Sequence, residues 1–126
     1  MRLTNLLVLN TVVALAFGVA FLLVPATVAS IYGVAATPAT DLLGRFFGVE
    51  LVAVGLLCWL ARNVTDTVSQ RAIILAFMIA DALGLVVSLM GTLSGVTNAV
   101  GWSAVLVYLV LTAGYAYFAF ARPSAT

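Results

Sequence analysis

Two acidic residues, Glu50 and Asp81, stand inside long apolar stretches of this 126-residue chain, where charged groups are rare. Two carboxyls that face one another can share a proton, act as acid and base, or bind a cation. Arg45 lies five residues before Glu50 and is a natural counter-ion to consider. Asn10, Ser88, Tyr108 and Thr112 are placed to add hydrogen-bonding groups. These seven residues form the candidate polar site.

The residue types exclude several other chemistries. The chain has five arginines but no lysine for a Schiff base and no histidine, the commonest metal ligand. A single cysteine, Cys58, allows neither an internal disulfide nor a cysteine pair for metal or redox work. The net charge of +1 leaves no basic patch for nucleic acid. We therefore expect no cofactor, no metal site, no enzymatic activity and no nucleic-acid partner.

The composition predicts that lipid is the solvent. Hydrophobic residues make up 65% of the chain and charged residues 7%, whereas an ordinary soluble domain is roughly 45–50% apolar and about 25% charged. A soluble protein of this size would lack the polar groups to cover its surface. The chain is therefore expected to be an integral membrane protein whose immediate partner is membrane lipid.

Four apolar segments predict an all-α, four-helix transmembrane bundle that forms one domain over residues 1–126. Each segment has roughly the 20 residues that a helix needs to cross about 30 Å of hydrocarbon. After the first span, the apolar stretch from Ala26 to Val34 predicts a short interfacial helix or re-entrant turn. We expect the first span to be retained, because it exceeds a usual signal-peptide core. The spans are predicted at about residues 3–24, 42–61, 72–93 and 99–121.

The arginines predict the orientation. Arg2, Arg62, Arg71 and Arg122 all fall on one side of an even-numbered bundle, and only Arg45 falls on the other. Because cytoplasmic loops carry an excess of arginine and lysine, both termini are predicted in the cytoplasm. We therefore expect a multi-pass protein of the cell (inner) membrane.

Small residues at four-residue spacing predict close helix packing, since lipid-embedded helices associate through close approach and polar contacts. The third span carries five such residues in register, and shorter series occur in the first two spans. These seams are expected within the bundle, between protomers of a homo-oligomer, or within a larger membrane complex. The series are Ala76, Ala80, Gly84, Ser88 and Thr92, then Asn10, Ala14 and Gly18, then Gly44, Gly48 and Gly55.

Aromatic residues near the span ends predict an interfacial belt. Trp102 lies near one end of its span, and Trp59, Tyr115 and Tyr117 lie near the opposite membrane surface. Tryptophan and tyrosine favour this position because their rings are apolar and their polar atoms reach water.

The two carboxyls are expected near the membrane midplane, Glu50 about 12 Å and Asp81 about 13–14 Å from the nearer span end. Five helical residues rotate Arg45 about 140° from Glu50. Arg45 shares a face with Asp41 instead, so it is expected to pair with Asp41, to extend towards the outer interface, or to reach across to Asp81 or Glu50.

Three functional hypotheses follow. In the first, the polar residues form an interhelical network, and the protein is a non-enzymatic structural or accessory membrane subunit. In the alternative, Glu50 and Asp81 line a cavity of a small proton- or cation-coupled transporter or channel. A wet cavity reaching both carboxyls would favour transport, and a dry, fully paired network would favour structure. A membrane enzyme acting on lipid or quinone is the weakest hypothesis, with two carboxyls as acid and base.

Several motifs in spans two to four suggest a known group. The chain resembles small bacterial four-span membrane proteins, loosely similar to the DoxX-like group. The resemblance implies a four-helix fold and no agreed activity, and one cysteine does not support the thiol-redox roles suggested for DoxX relatives. Small multidrug transporters differ, because their essential acid lies in the first span, where this chain has Asn10. The motifs are Leu43-Gly44-Arg45-Phe46-Phe47-Gly48-Val49-Glu50, Asp81-Ala82-Leu83-Gly84 and Ser94-Gly95-Val96-Thr97-Asn98-Ala99-Val100-Gly101-Trp102.

Overall fold

The computed structural model describes residues 2–121, and the regular structure in this range is helical throughout. Four of the helices are long and apolar enough to cross a membrane, which confirms the predicted all-α, four-span architecture. Arg122 lies outside the described residues. The helices are α1 (Leu3–Leu23), α2 (Pro25–Ile31), α3 (Pro38–Ala61), α4 (Thr67–Leu93) and α5 (Gly101–Ala116), and α5 continues as a π-helical turn over Tyr117–Ala121.

Helices α3 and α4 begin before their apolar segments, at Pro38 and Thr67 rather than near residues 42 and 72. Thr37 and Thr40 form a capping box in which each hydroxyl accepts a hydrogen bond from the other residue's backbone N–H. The Asp66 carboxylate accepts the backbone N–H and the hydroxyl of Ser69, and these bonds lower the pKa of Asp66. Polar first turns held by caps carry no hydropathy signal, which explains the difference.

Pro25 separates α1 from α2. It has no N–H to donate to the carbonyl of Phe21, so the α1 helix cannot continue through it, but its fixed φ suits the first turn of a new helix. The short helix predicted after the first span is therefore present as Pro25–Ile31. It packs against α1 and α3 at one end of the bundle. Its position at the membrane interface stays a prediction.

The long helices form two closely packed pairs, α1 with α3 and α4 with α5. In the first pair, glycines bring the two backbones into direct contact. A Cβ atom at Gly48 would lie 2.7 Å from the Gly18 carbonyl oxygen, and one at Gly18 would lie 2.9 Å from the Val52 nitrogen. The glycines of the two predicted series thus form a seam between α1 and α3, whereas Asn10 and Ala14 face the cavity described below.

The small-residue series of α4 forms a seam over only part of its length. A Cβ atom at Gly84 would lie 2.3 Å from Cε1 of Tyr108, so the Tyr108 ring lies directly on this glycine. Near the helix end, the hydroxyls of Thr92 and Thr97 are 3.3 Å apart. Ala76 and Ala80 are exposed, so the α4 series does not form one continuous seam within the bundle. A seam between protomers stays a prediction.

The apolar core lies at the end of the bundle where α1 begins and α3 ends, an end marked by the hydrogen bond from the Thr4 hydroxyl to the Arg62 carbonyl (3.0 Å). Tyr115 is fully buried there and stacks on Phe77, with ring centroids 5.4 Å apart. The expectation that Tyr115 belongs to an aromatic belt is therefore wrong. The buried cluster comprises Leu6, Leu7, Cys58, Ile74, Phe77, Leu111, Tyr115 and Phe118.

Candidate functional site

A cavity of about 340 Å³ lies between the α1–α3 pair and the α4–α5 pair, next to the apolar core. Its volume falls within the range of small-molecule sites, roughly 300–1,000 Å³. The walls are mostly apolar, with aromatic side chains on several elements. The lining residues are Asn10, Val13, Ala14, Phe17, Phe21, Pro25, Val28, Ala29, Tyr32, Val34, Thr40, Gly44, Phe47, Leu51, Asp81, Thr97, Ala104, Val107, Tyr108 and Leu111.

Helices α1 and α3 each present one continuous face to the cavity. Their main lining residues recur at steps of four, three and four, which places them on one side of an α-helix. The α1 face is Asn10, Ala14, Phe17 and Phe21, and the α3 face is Thr40, Gly44, Phe47 and Leu51.

Different elements line the two ends of the cavity. The buried core adjoins one end, where Leu111 belongs to both the core and the cavity wall. At the other end, α2 and Tyr32 cover the space between the helices. The Asn98 backbone N–H donates to the Tyr32 carbonyl (2.9 Å), and the Asn98 side chain donates to the Ile31 carbonyl (3.0 Å). The loop after α2 is thereby tied to the loop before α5.

Asp81 is the polar group that most distinguishes the cavity. Among the described residues, it is the one lining residue that α4 supplies, and its side chain is the one carboxyl in a lining without arginine. Its side chain is only 8% exposed, and its Oδ2 is buried without a hydrogen-bond partner. A buried carboxyl without a donor is costly in a low-dielectric interior, so a donor group in the cavity would be favourable.

Asn10 and Tyr108 are the other predicted site residues in the lining. Asn10 is 3% exposed, and its Nδ2 donates a hydrogen bond of 2.8 Å to the Tyr115 hydroxyl. This bond links the cavity wall to the core across α1 and α5. The structure therefore brings three of the seven predicted residues, Asn10, Asp81 and Tyr108, to one site.

The other four predicted residues lie elsewhere. Glu50 is exposed on α3, so the hypothesis that Glu50 and Asp81 face each other in one cavity is wrong. Ser88 donates to the Leu85 carbonyl of its own helix (3.0 Å). The Thr112 hydroxyl is buried without a partner but does not line the cavity.

Arg45 pairs with none of the three carboxylates considered for it. Its guanidinium donates instead to the carbonyl of Leu22, in the last turn of α1. The last carbonyls of a helix have no partner within it and carry partial negative charge. The break at Pro25 and the close packing of α1 on α3 place such a carbonyl within reach of Arg45. The Asp41 Oδ1 is left buried without a partner.

Sequence reasoning missed most of the cavity wall. The aromatic residues Phe17, Phe21, Phe47 and Tyr32 were not singled out, although the first two share a helical face with Asn10. That spacing could have indicated a common face. It carries little weight in a helix that is apolar on every side, because any spacing can be found there.

The described residues contain no group of three or more His, Cys, Asp or Glu side chains that could hold a metal ion. Comparison with protein-family models, curated proteins and solved structures finds no match to the chain. Function is therefore inferred from the geometry of the cavity.

Proposed function

We propose that this protein is a non-enzymatic, multi-pass membrane protein that binds a small, mostly apolar molecule in the cavity between its helix pairs. The observation that carries the proposal is the cavity itself, with apolar walls of suitable volume and one unpartnered polar group, Asp81. Small-molecule sites have this character, because apolar walls supply affinity and a few polar atoms fix orientation.

A binding role accounts for Asp81 better than a purely structural one. The structural hypothesis expects polar residues at membrane depth to satisfy one another. Asn10 meets that expectation through Tyr115, whereas the Asp81 Oδ2 does not. The protein would then act as an accessory binding component of its membrane.

The first test places a phenylalanine at either of two alanine positions on α5. Ala104 lines the cavity, and Ala113 is exposed on the same helix. The probe is phenylbutanol, a neutral molecule with one ring and one hydroxyl, added to protein in nanodiscs during thermal unfolding. Saturable stabilisation is expected for the wild type and for Ala113→Phe, since a ligand at 100 times its Kd stabilises by about 2.7 kcal/mol. Ala104→Phe should abolish it, and equal shifts in all three proteins would refute cavity binding.

Transport is the second candidate function, and it is favoured by the position of Asp81 in a cavity near the middle of α4. Because Glu50 lies outside the cavity, coupling to protons or cations would rest on Asp81 alone. Proton uptake by reconstituted protein should then be lost in Asp81→Asn and retained in Glu50→Gln. If the wild-type protein takes up no protons, binding without transport stays the proposed function.

The proposed location is the bacterial inner membrane, with both termini in the cytoplasm. The orientation is supported by Arg2, Arg62 and Arg71, which lie at the same end of the bundle. Ala36 and Ser69 are exposed in or near loops at opposite ends. With Cys58 replaced by serine, a membrane-impermeant maleimide added to intact cells should label Ala36→Cys but not Ser69→Cys. The reverse pattern would invert the topology.

A further inference from the structure

We infer that the cavity selects an amphipathic amine, a molecule with an apolar aromatic or alkyl body and a protonated nitrogen that binds the carboxylate of Asp81. This inference rests on the proposed function, because it names the class of molecule that the cavity would bind. It goes further by assigning a charge to the ligand and a recognising atom to the protein.

The first support is the charge of the lining. Among the described lining residues, the only carboxyl is that of Asp81, and no arginine is present. The other ionisable groups of the lining are tyrosine hydroxyls. Arg45, the counter-ion considered from the sequence, donates to the Leu22 carbonyl instead. An anionic ligand would therefore meet a carboxylate with no cation to offset it, whereas a cationic ligand would supply the missing counter-charge.

The second support is the hydrogen-bonding state of Asp81. Its Oδ2 is buried and accepts no bond, and its side chain is more than nine-tenths buried against the cavity. A protonated amine offers donors and a positive charge together, and a charge-assisted bond to a carboxylate is stronger than a neutral one. A neutral alcohol could supply a donor but no charge, so it should bind more weakly at the same place.

The third support is the aromatic content of the walls. Tyr108 lies beside α4, where its ring packs on Gly84, one turn along from Asp81. Phe17, Phe21, Phe47 and Tyr32 complete five aromatic lining residues from four parts of the chain. Aromatic faces attract organic cations and also pack well against apolar bodies. A molecule with a cationic end and an apolar end thus matches both features of the wall.

The experiment uses three probes of similar shape that differ in charge: phenylbutylamine, phenylbutanol and phenylbutyrate. Binding to the full chain is measured by NMR titration at neutral pH, in nanodiscs of uncharged phosphatidylcholine so that lipid headgroups do not concentrate the amine. In the wild type, the amine should bind roughly tenfold to a hundredfold more tightly than the alcohol, and the carboxylate most weakly. This ranking requires no variant, so it stands even if an Asp81 substitution prevents folding.

Matched variants then locate the selectivity. Asp81→Asn should abolish the preference for the amine over the alcohol, because the asparagine amide oxygen can still accept a hydrogen bond from either probe but carries no negative charge. A thermal unfolding transition close to that of the wild type shows that the variant is folded. Glu50→Gln removes a carboxyl from the exposed surface of α3 and should leave all three affinities unchanged. A preference for amine that survives Asp81→Asn, or disappears in Glu50→Gln, would overturn the assignment.

Binding in the cavity and selectivity for an amine can be refuted separately. Equal binding of amine and alcohol by the wild type, with both lost in Ala104→Phe, would overturn cation selectivity and retain the binding function. Saturable binding of none of the three probes would overturn both.

Discussion

The contact between Gly18 and Gly48 predicts the cost of adding a single methyl group between α1 and α3. A Cβ atom at Gly48 would lie 2.7 Å from the Gly18 carbonyl oxygen and 2.7 Å from the Leu22 nitrogen. Ordinary contact begins at 3.4 Å, so each of these contacts is about 0.7 Å too short and the two backbones must move apart. Backbone atoms cannot rotate away as a side chain can. Overpacking of this kind costs about 1–3 kcal/mol.

Gly91→Ala is the matched control for Gly48→Ala. Gly91 also lies within a long helix, but a Cβ atom there would meet nothing within 4 Å. The free energy of unfolding can be measured for both variants by SDS titration in mixed micelles. We expect Gly48→Ala to lose about 1–3 kcal/mol, and Gly91→Ala to stay unchanged or gain slightly, since alanine favours helix more than glycine does.

A double variant sharpens this prediction. Gly18→Ala and Gly48→Ala are relieved by the same separation of α1 from α3, so their combined cost should be smaller than the sum of the single costs. Equal stability changes at Gly48 and Gly91 would refute the reasoning, because the seam would then not be a direct backbone contact. Strict additivity would show that the two glycines do not share one contact.

Three further predictions concern the cavity wall, the core and the cap of α4. Gly84→Ala should push the Tyr108 ring from its place and weaken phenylbutanol binding in the NMR titration, whereas unchanged affinity would mean that the ring can shift without entering the cavity. Tyr115→Phe removes the acceptor of the Asn10 amide and should cost about 1–3 kcal/mol in SDS unfolding; an unchanged stability would show that Asn10 finds another acceptor. Asp66→Ala should reduce stability above pH 3.8, the ordinary carboxyl pKa, and the difference from wild type should fade as the pH drops through the lowered folded pKa. A difference independent of pH would mean that the carboxylate does not cap α4.

The spans could be predicted from the sequence because hydropathy and length alone define them. Their polar first turns could not, since the caps at Thr37 and Asp66 depend on local hydrogen bonds that continue the helix beyond its apolar part. The starts of α3 and α4 were therefore predicted too late.

The candidate site was predicted only in part. When a helix is apolar on every face, its sequence does not show which face turns towards the cavity. Asp81 and Glu50 are similar in sequence context, yet one lines the cavity and the other is exposed. Tyr115 and Tyr117 are two residues apart, and only Tyr115 is buried. The partner of Arg45 depends on the pairing of α1 with α3 and on the break between α1 and α2.

The most direct test of the binding function is photolabelling of the protein in nanodiscs with a diazirine derivative of phenylbutanol, followed by mapping of the labelled residues by mass spectrometry. The cavity predicts labels on lining residues such as Phe17, Phe47 and Val107, and excess phenylbutanol should remove them. Labels confined to exposed positions such as Leu106, unaffected by competitor, would show that the molecule only partitions into lipid and would contradict the proposed function.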